Sequence, residues 1–153
     1  MKITMTVEDY IIRILGTSDA LGLLQSSIKR SFQSKSFKLF WRNWNPLFGY
    51  FLSKKVNRPI SKKLNGAISS LFTFLFSGLF LHDIWIMPLF YILFDKVVFF
   101  PVTLIFFCFW LVMILESLIN FRKYVNNKNI HVLINIIYVI GGSILGGLIS
   151  SII

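Results

Sequence analysis

The chain has 153 residues, 56% of them hydrophobic, and sixteen Lys and Arg against six Asp and Glu give it a formal charge of +10. A mean hydropathy of +0.73 is too apolar for a soluble fold of this length, so lipid or a large partner must cover the excess surface. The charge does not point to nucleic acid, because the cations flank apolar runs rather than line a soluble face; it reads as a positive-inside signal and as attraction to a bilayer with anionic headgroups.

Residues 7 to 15 place Val7, Tyr10, Ile11, Ile14 and Leu15 on one side of an amphipathic helix too short to cross a bilayer, with Thr6 as N-cap and Glu8 and Asp9 at its positive end. No cleavable signal peptide is expected, since no apolar stretch follows the lone early Lys2. Gly16-Thr17-Ser18 breaks this helix. A second follows, with Leu21, Leu24, Ile28 and Phe32 along one side and Lys29, Arg30 and Lys35 near its end. Both are expected to lie on the membrane surface or against the spanning helices.

The strongest periodicity runs through Phe37, Phe40, Trp41, Trp44, Phe48 and Phe51. Pro46 cannot donate to the helical ladder and pushes Asn45 from helical dihedrals, so a break is expected at Asn45-Pro46, with a polar side chain serving the freed backbone groups. Lys54, Lys55, Arg58, Lys62 and Lys63 then form a basic collar that Pro59 interrupts.

Three spans are expected, about 67–94, 97–120 and 130–153. The first, about 28 residues or roughly 42 Å, exceeds a hydrocarbon core of about 30 Å, which calls for tilt or a break between His82 and Pro88. Asp95-Lys96 is its polar turn into the second. Except for Lys96, every Lys and Arg precedes Ala67 or falls between the second and third spans, which predicts a cytoplasmic N-terminus and 122–129 loop and a C-terminus on the opposite side. The expected fold is therefore an all-α membrane protein in three parts: amphipathic N-terminal helices at 1–35, an aromatic and basic interfacial segment at 36–66, and a transmembrane region at 67–153. In the third span Gly142, Gly146 and Ser150 form a stripe of small residues suited to close packing within the chain or to a homo-oligomer contact.

Few polar residues could carry chemistry. His82 lies about 15 residues into its span, and an ionisable group at that depth faces a cavity or a bundle interior, for function or as a hydrogen-bonded structural histidine. Asp83 points about 100° away from it and is expected to cap a helical piece beginning at Ile84. In a hairpin turning at 95–96, Glu116 stands level with about Leu75 and His82 with about Phe109, so Glu116 is expected to reach the cytoplasmic interface near Arg122 or Lys63 rather than pair with His82. His131 reads as interfacial, and Trp41, Trp44 and Trp85 as an aromatic belt. Two distant histidines without neighbouring ligands make no zinc site, and no phosphate loop, nucleophile elbow or Cys-His pairing is present; the single Cys108 leaves no disulfide to form.

The segment Phe40-Trp41-Arg42-Asn43-Trp44-Asn45, then Pro59, then Thr73 to Asp83 with Ser77-Gly78-Leu79-Phe80-Leu81-His82-Asp83 at its end, resembles the active-site half of the membrane-bound O-acyltransferases, most closely the sterol and diacylglycerol acyltransferase branch. Asn45 and His82 stand 37 residues apart, a spacing similar to that branch. The resemblance implies acyl transfer from acyl-CoA or another acyl thioester to a hydroxyl acceptor, with His82 as general base, Asn45 orienting the acceptor or stabilising developing charge, and Trp41, Trp44 and Asp83 as substrate-binding residues. It implies no metal and no other cofactor. Three features depart from the family pattern: the proline follows Asn45 directly instead of one position later, Leu81 precedes His82 where the family often has an aromatic, and about three spans replace the family's many, which points to a homo-oligomer or a second membrane subunit as partner. The competing expectation is a non-catalytic small integral membrane protein, an accessory subunit or truncated relic of such an enzyme.

Overall fold

Thr6 opens α1 (Val7–Leu15) with a capping box: its side chain accepts the Asp9 amide at 3.1 Å while Asp9 accepts the Thr6 amide at 3.2 Å. These bonds from Thr6, side chain first and backbone second, hold the Asp9 carboxyl below its ordinary range. Gly16, at φ 76°, ends the helix in the left-handed conformation that glycine adopts without penalty. The computed structural model describes residues 6–16, 19–95 and 97–153, with the side chain of Ala20 left aside. Expectations that involve Lys2, Thr17, Ser18 and Lys96 lie outside the described residues.

Helix α2 (Ala20–Phe32) is capped by Asp19, and α3 (Phe37–Trp44) by Ser36. The apolar side of α2 does not face the protein. Leu21, Leu24 and Ile28 are exposed while Ser27 and Ser31 are buried, the arrangement of a helix that offers its greasy face to lipid. Ser27 shows why the small polar residues turn inward: its hydroxyl donates to the carbonyls of Asn43, at 2.9 Å, and Trp44, the last turn of α3. Those acceptors are left over because Pro46 stops the ladder there, and α4 (Pro46–Leu52) starts anew with proline in its first turn.

Pro59 does not interrupt the basic collar as expected. The chain stays helical from α4 through a wider π turn, Ser53–Asn57, into α5 (Arg58–Ser61), because a locally widened ladder accommodates a proline that lacks its amide hydrogen. The same device recurs in the first span, which runs unbroken over 29 residues as α6 (Gly66–Phe76), a π turn at Ser77–Asp83 and α7 (Ile84–Phe94), with Pro88 inside α7.

The second and third spans are α8 (Pro101–Ile119) and α9 (Lys128–Ile152). With three helices long and apolar enough to cross a membrane and no strand among the described residues, the chain is an all-α membrane protein. Span two begins at Pro101 and not at Val97, since proline is favoured in a first turn and residues 97–99 are non-helical. This late start shifts the hairpin register. His82 meets Phe106, with ring centroids 5.2 Å apart, instead of standing level with Phe109, and the Trp110 indole donates to the Ala67 carbonyl at 3.1 Å.

A buried polar cluster joins the N-terminal helices to this hairpin. Glu116 pairs with Arg122, Nε to Oε1 at 2.7 Å, as expected, but it is buried and does not reach outward; its other oxygen accepts the Phe37 amide at 2.7 Å. Arg122 also donates to the Ser34 carbonyl at 3.1 Å and to Asn135 Oδ1 at 3.0 Å, and its guanidinium lies over the Tyr138 ring. Asn135 Nδ2 donates to the Phe32 carbonyl at 2.7 Å and the Ser34 carbonyl at 3.1 Å. His131, near the start of α9, is enclosed next to this cluster and 1% exposed. The turn between α2 and α3 is thus plugged into the end of the α8–α9 hairpin.

Above the plug, Phe37, Phe40, Phe109 and Met113 form the core. The small-residue stripe is used within the chain: an added Cβ at Gly142 would meet the Phe109 ring, one at Gly146 would meet the Ile105 backbone, and Ser150 donates to the Phe99 carbonyl at 3.0 Å. Gly147 faces open space. Gly146→Val is expected to lower stability by about 1–3 kcal/mol or more and Gly147→Ala to leave it nearly unchanged, as read by thermal melting in detergent; equal effects would remove the α8–α9 contact as the reason for the stripe.

Candidate active site

His82, Asn45, Trp41 and Trp44 line a single cavity of about 290 Å³ enclosed by α3, α4, the first span and α8. The residues singled out near the two ends of the resemblance, distant in sequence, are brought to one place by the packing of α3 and α6 on α8. Asp83 is not part of the cavity lining.

The first of these side chains sits on the π turn. His82 Nδ1 lies 2.8 Å from the carbonyl oxygen of Ser77, five residues back. A carbonyl can only accept, so Nδ1 carries a hydrogen, and the neutral tautomer that makes this bond has its lone pair on Nε2. The Phe106 ring meets the imidazole edge to face at 66° and fixes its tilt. This is the orientation that a general base requires: one nitrogen anchored, the other basic.

Asn45 is the hinge between α3 and α4. Its backbone, at φ −142° and ψ 86°, has left the helical region as the following proline dictates, and its Oδ1 accepts the Phe48 amide at 3.1 Å to cap α4. Its Nδ2 hydrogens have no partner among the described residues and remain available as donors.

Trp41 is half-buried and does not belong to a surface belt. Its ring is held by Phe37, Phe74, Phe106 and Phe109 at centroid distances of 5.1 to 5.8 Å, because it falls on the inner side of α3, the side that carries Phe37 and Phe40 into the core. Its Nε1 has no hydrogen-bond partner among the described residues. Trp44 stacks on Phe40 at 5.5 Å and remains partly exposed, and Trp85 faces outward at 73% exposure.

Sequence reasoning missed the polar wall opposite. Asn57 Nδ2 donates to Thr73 Oγ1 at 3.2 Å and to Ser69 Oγ at 3.4 Å, and Asn57, Ser70 and Thr73 all line the cavity. The signal was present: Ser69, Ser70 and Thr73 fall on one flank of an otherwise apolar span, and polar groups placed there need internal partners.

Asp83 does something other than cap α7 or touch a ligand. It is fully buried, its Oδ1 accepts the Val102 amide at 2.9 Å and its Oδ2 the Thr103 amide at 2.8 Å. It makes no side-chain bond to α7, since the π turn runs into that helix without a free first turn to cap. It closes instead the N-terminus of α8, where two amides aligned with the helix dipole would face the interior unpaired. No protein-family model matches the chain, and neither does any curated protein or solved structure.

Asp83→Ala is therefore expected to destabilise the fold by about 0.5–2 kcal/mol or somewhat more, with faster hydrogen exchange at the amides of Val102 and Thr103. Exchange at those amides that stays at the wild-type rate would overturn the assignment of Asp83 to α8.

Proposed function

We propose that the chain is a membrane-embedded acyltransferase-like protein that moves an acyl group from an acyl thioester to a hydroxyl acceptor. The observation that carries this reading is the shared cavity, in which an imidazole with one ring nitrogen unpartnered and an amide with free donors sit between the aromatic rings of Trp41, Phe74 and Phe106 and the polar wall of Asn57, Ser70 and Thr73. His82 Nε2 takes the acceptor's hydroxyl proton as that oxygen attacks the thioester carbonyl carbon. Asn45 Nδ2 donates to the oxygen on which negative charge develops. The carbon–sulfur bond then breaks, the leaving thiolate takes the proton back from the imidazolium, and an ester and a free thiol result. Acyl-CoA is one such donor. The Ser77 carbonyl anchors the base throughout.

In this reading the N-terminus and the 122–129 loop are cytoplasmic and the C-terminus lies on the opposite side, an orientation that the excess of Lys and Arg in the collar and the loop supports. Leu21, Leu24 and Ile28 seat α2 in the interface with anionic lipid. A homo-oligomer or a second membrane subunit completes the enclosure that three spans leave partly open.

One observation favours a second reading, a non-catalytic integral membrane protein that serves as an accessory subunit or descends from a truncated enzyme. Asn45 already has a structural task as the cap of α4. The two readings separate in an assay of the purified chain with a panel of acyl thioesters and lipid alcohols. His82→Ala is expected to lower transfer by about 10²–10⁴-fold and Asn45→Ala by about 10²–10³-fold. Folded variants that form the same products at the same rate would leave only the accessory role.

A further inference from the structure

Between α1, α2, α3 and the stretch from α4 to α5 lies an open basin of about 990 Å³. Six cations line it, Arg13, Arg30, Lys35, Arg42, Lys54 and Arg58, and no Asp or Glu does. All six are exposed. Arg30 donates to the Ile14 carbonyl at 2.6 Å, and Lys54 donates to the Tyr50 hydroxyl at 3.1 Å. The other four make no hydrogen bond or ion pair among the described residues.

Helices α1, α2 and α3, the turn between α2 and α3, the π turn at Ser53–Asn57 and α5 deliver these charges to one concave surface, and their mutual repulsion works against the compact state until an anion arrives. The collar lysines Lys55, Lys62 and Lys63 are as close in sequence but do not line the basin, so general attraction to a lipid surface does not account for the convergence. Four of the six cations are arginines, whose planar forks match pairs of phosphate oxygens. A basin of this size suits a small ligand and not a duplex or a protein surface. Tyr10 and Tyr50, with ring centroids 5.4 Å apart, form part of the wall. Burial raises the Tyr10 phenol above its ordinary value while the charges of Arg42 and Arg58 oppose that shift, which keeps it a neutral hydrogen-bond donor.

We propose that this basin is a binding site for a ligand that carries clustered phosphate groups, either a soluble polyphosphate compound or a multiply phosphorylated lipid headgroup. Arg42 and Ser53 line both the basin and the His82 cavity, so phosphates held in the basin lie one wall away from that cavity. The assignment does not depend on acyl transfer and is tested by binding alone.

The full chain in phosphatidylcholine nanodiscs at about 0.15 M salt is titrated with tripolyphosphate, and in parallel its thermal stability is compared in nanodiscs with and without phosphatidylinositol 4,5-bisphosphate. Saturable binding of tripolyphosphate identifies a soluble ligand, and stabilisation by the phosphorylated lipid alone identifies a headgroup. Either effect is expected to weaken at least about tenfold in the pair Arg13→Gln/Arg58→Gln and less than about twofold in the pair Lys62→Gln/Lys63→Gln, which removes the same charge from the collar. The single variants Arg58→Gln and Lys35→Gln give the same comparison if the basin pair fails to fold. The proposal is overturned if neither probe binds, or if basin and collar substitutions weaken binding equally.

Discussion

The Glu116 carboxylate takes the Phe37 amide on one oxygen and the Arg122 guanidinium on the other, and Arg122 and Asn135 pass the contact on to the Phe32 and Ser34 carbonyls. Taking two charges out of water is costly, and the pair is tolerated because further hydrogen bonds occupy its remaining polar atoms. The groups it satisfies are the backbone donors and acceptors between two helices, which have no ladder of their own. The cluster therefore sets where α3 begins. The start of α3 determines which side of it faces α8, and that contact places Trp41 and Asn45 opposite His82.

Prolines shape the rest of the site. Where Pro46 follows a non-helical Asn45, the ladder stops and restarts; where Pro59 and Pro88 follow π turns, it widens and continues. The two responses have opposite effects on orphaned groups. A stop leaves carbonyls for Ser27 and an amide for Asn45 to serve, while a widened turn moves neighbouring side chains around the helix without leaving an end.

Local signals were legible in the sequence. The helix at Val7–Leu15 with its Thr6 cap, the break at Pro46, the three spans and the stripe through Gly142, Gly146 and Ser150 all follow from periodicity, proline chemistry and hydropathy. What failed did so for identifiable reasons. Hydropathy cannot tell residues 97–100 from a helix, because it scores side chains and not backbone conformation; only Pro101 marks the boundary. The periodicity of α2 left two placements open, on the membrane surface or against the spans, and its exposed Leu21, Leu24 and Ile28 fit the first. Asp83 and Trp41 were assigned to their neighbours in the chain, and their actual surroundings come largely from α8, which no local pattern encodes. Asn135 was overlooked although an amide deep in an apolar span, in step with the small-residue stripe, signals an interior partner.

The π turn at Ser77–Asp83 closes its ladder over five residues where the helix on either side closes over four, so one turn there holds about one residue more. Excising one residue from that turn would close it at α spacing and take away the five-residue reach from Ser77 to His82. The imidazole would then lose both its anchor and its outlook. Its placement is thus a matter of how many residues one turn holds, settled before any side-chain rotamer comes into play.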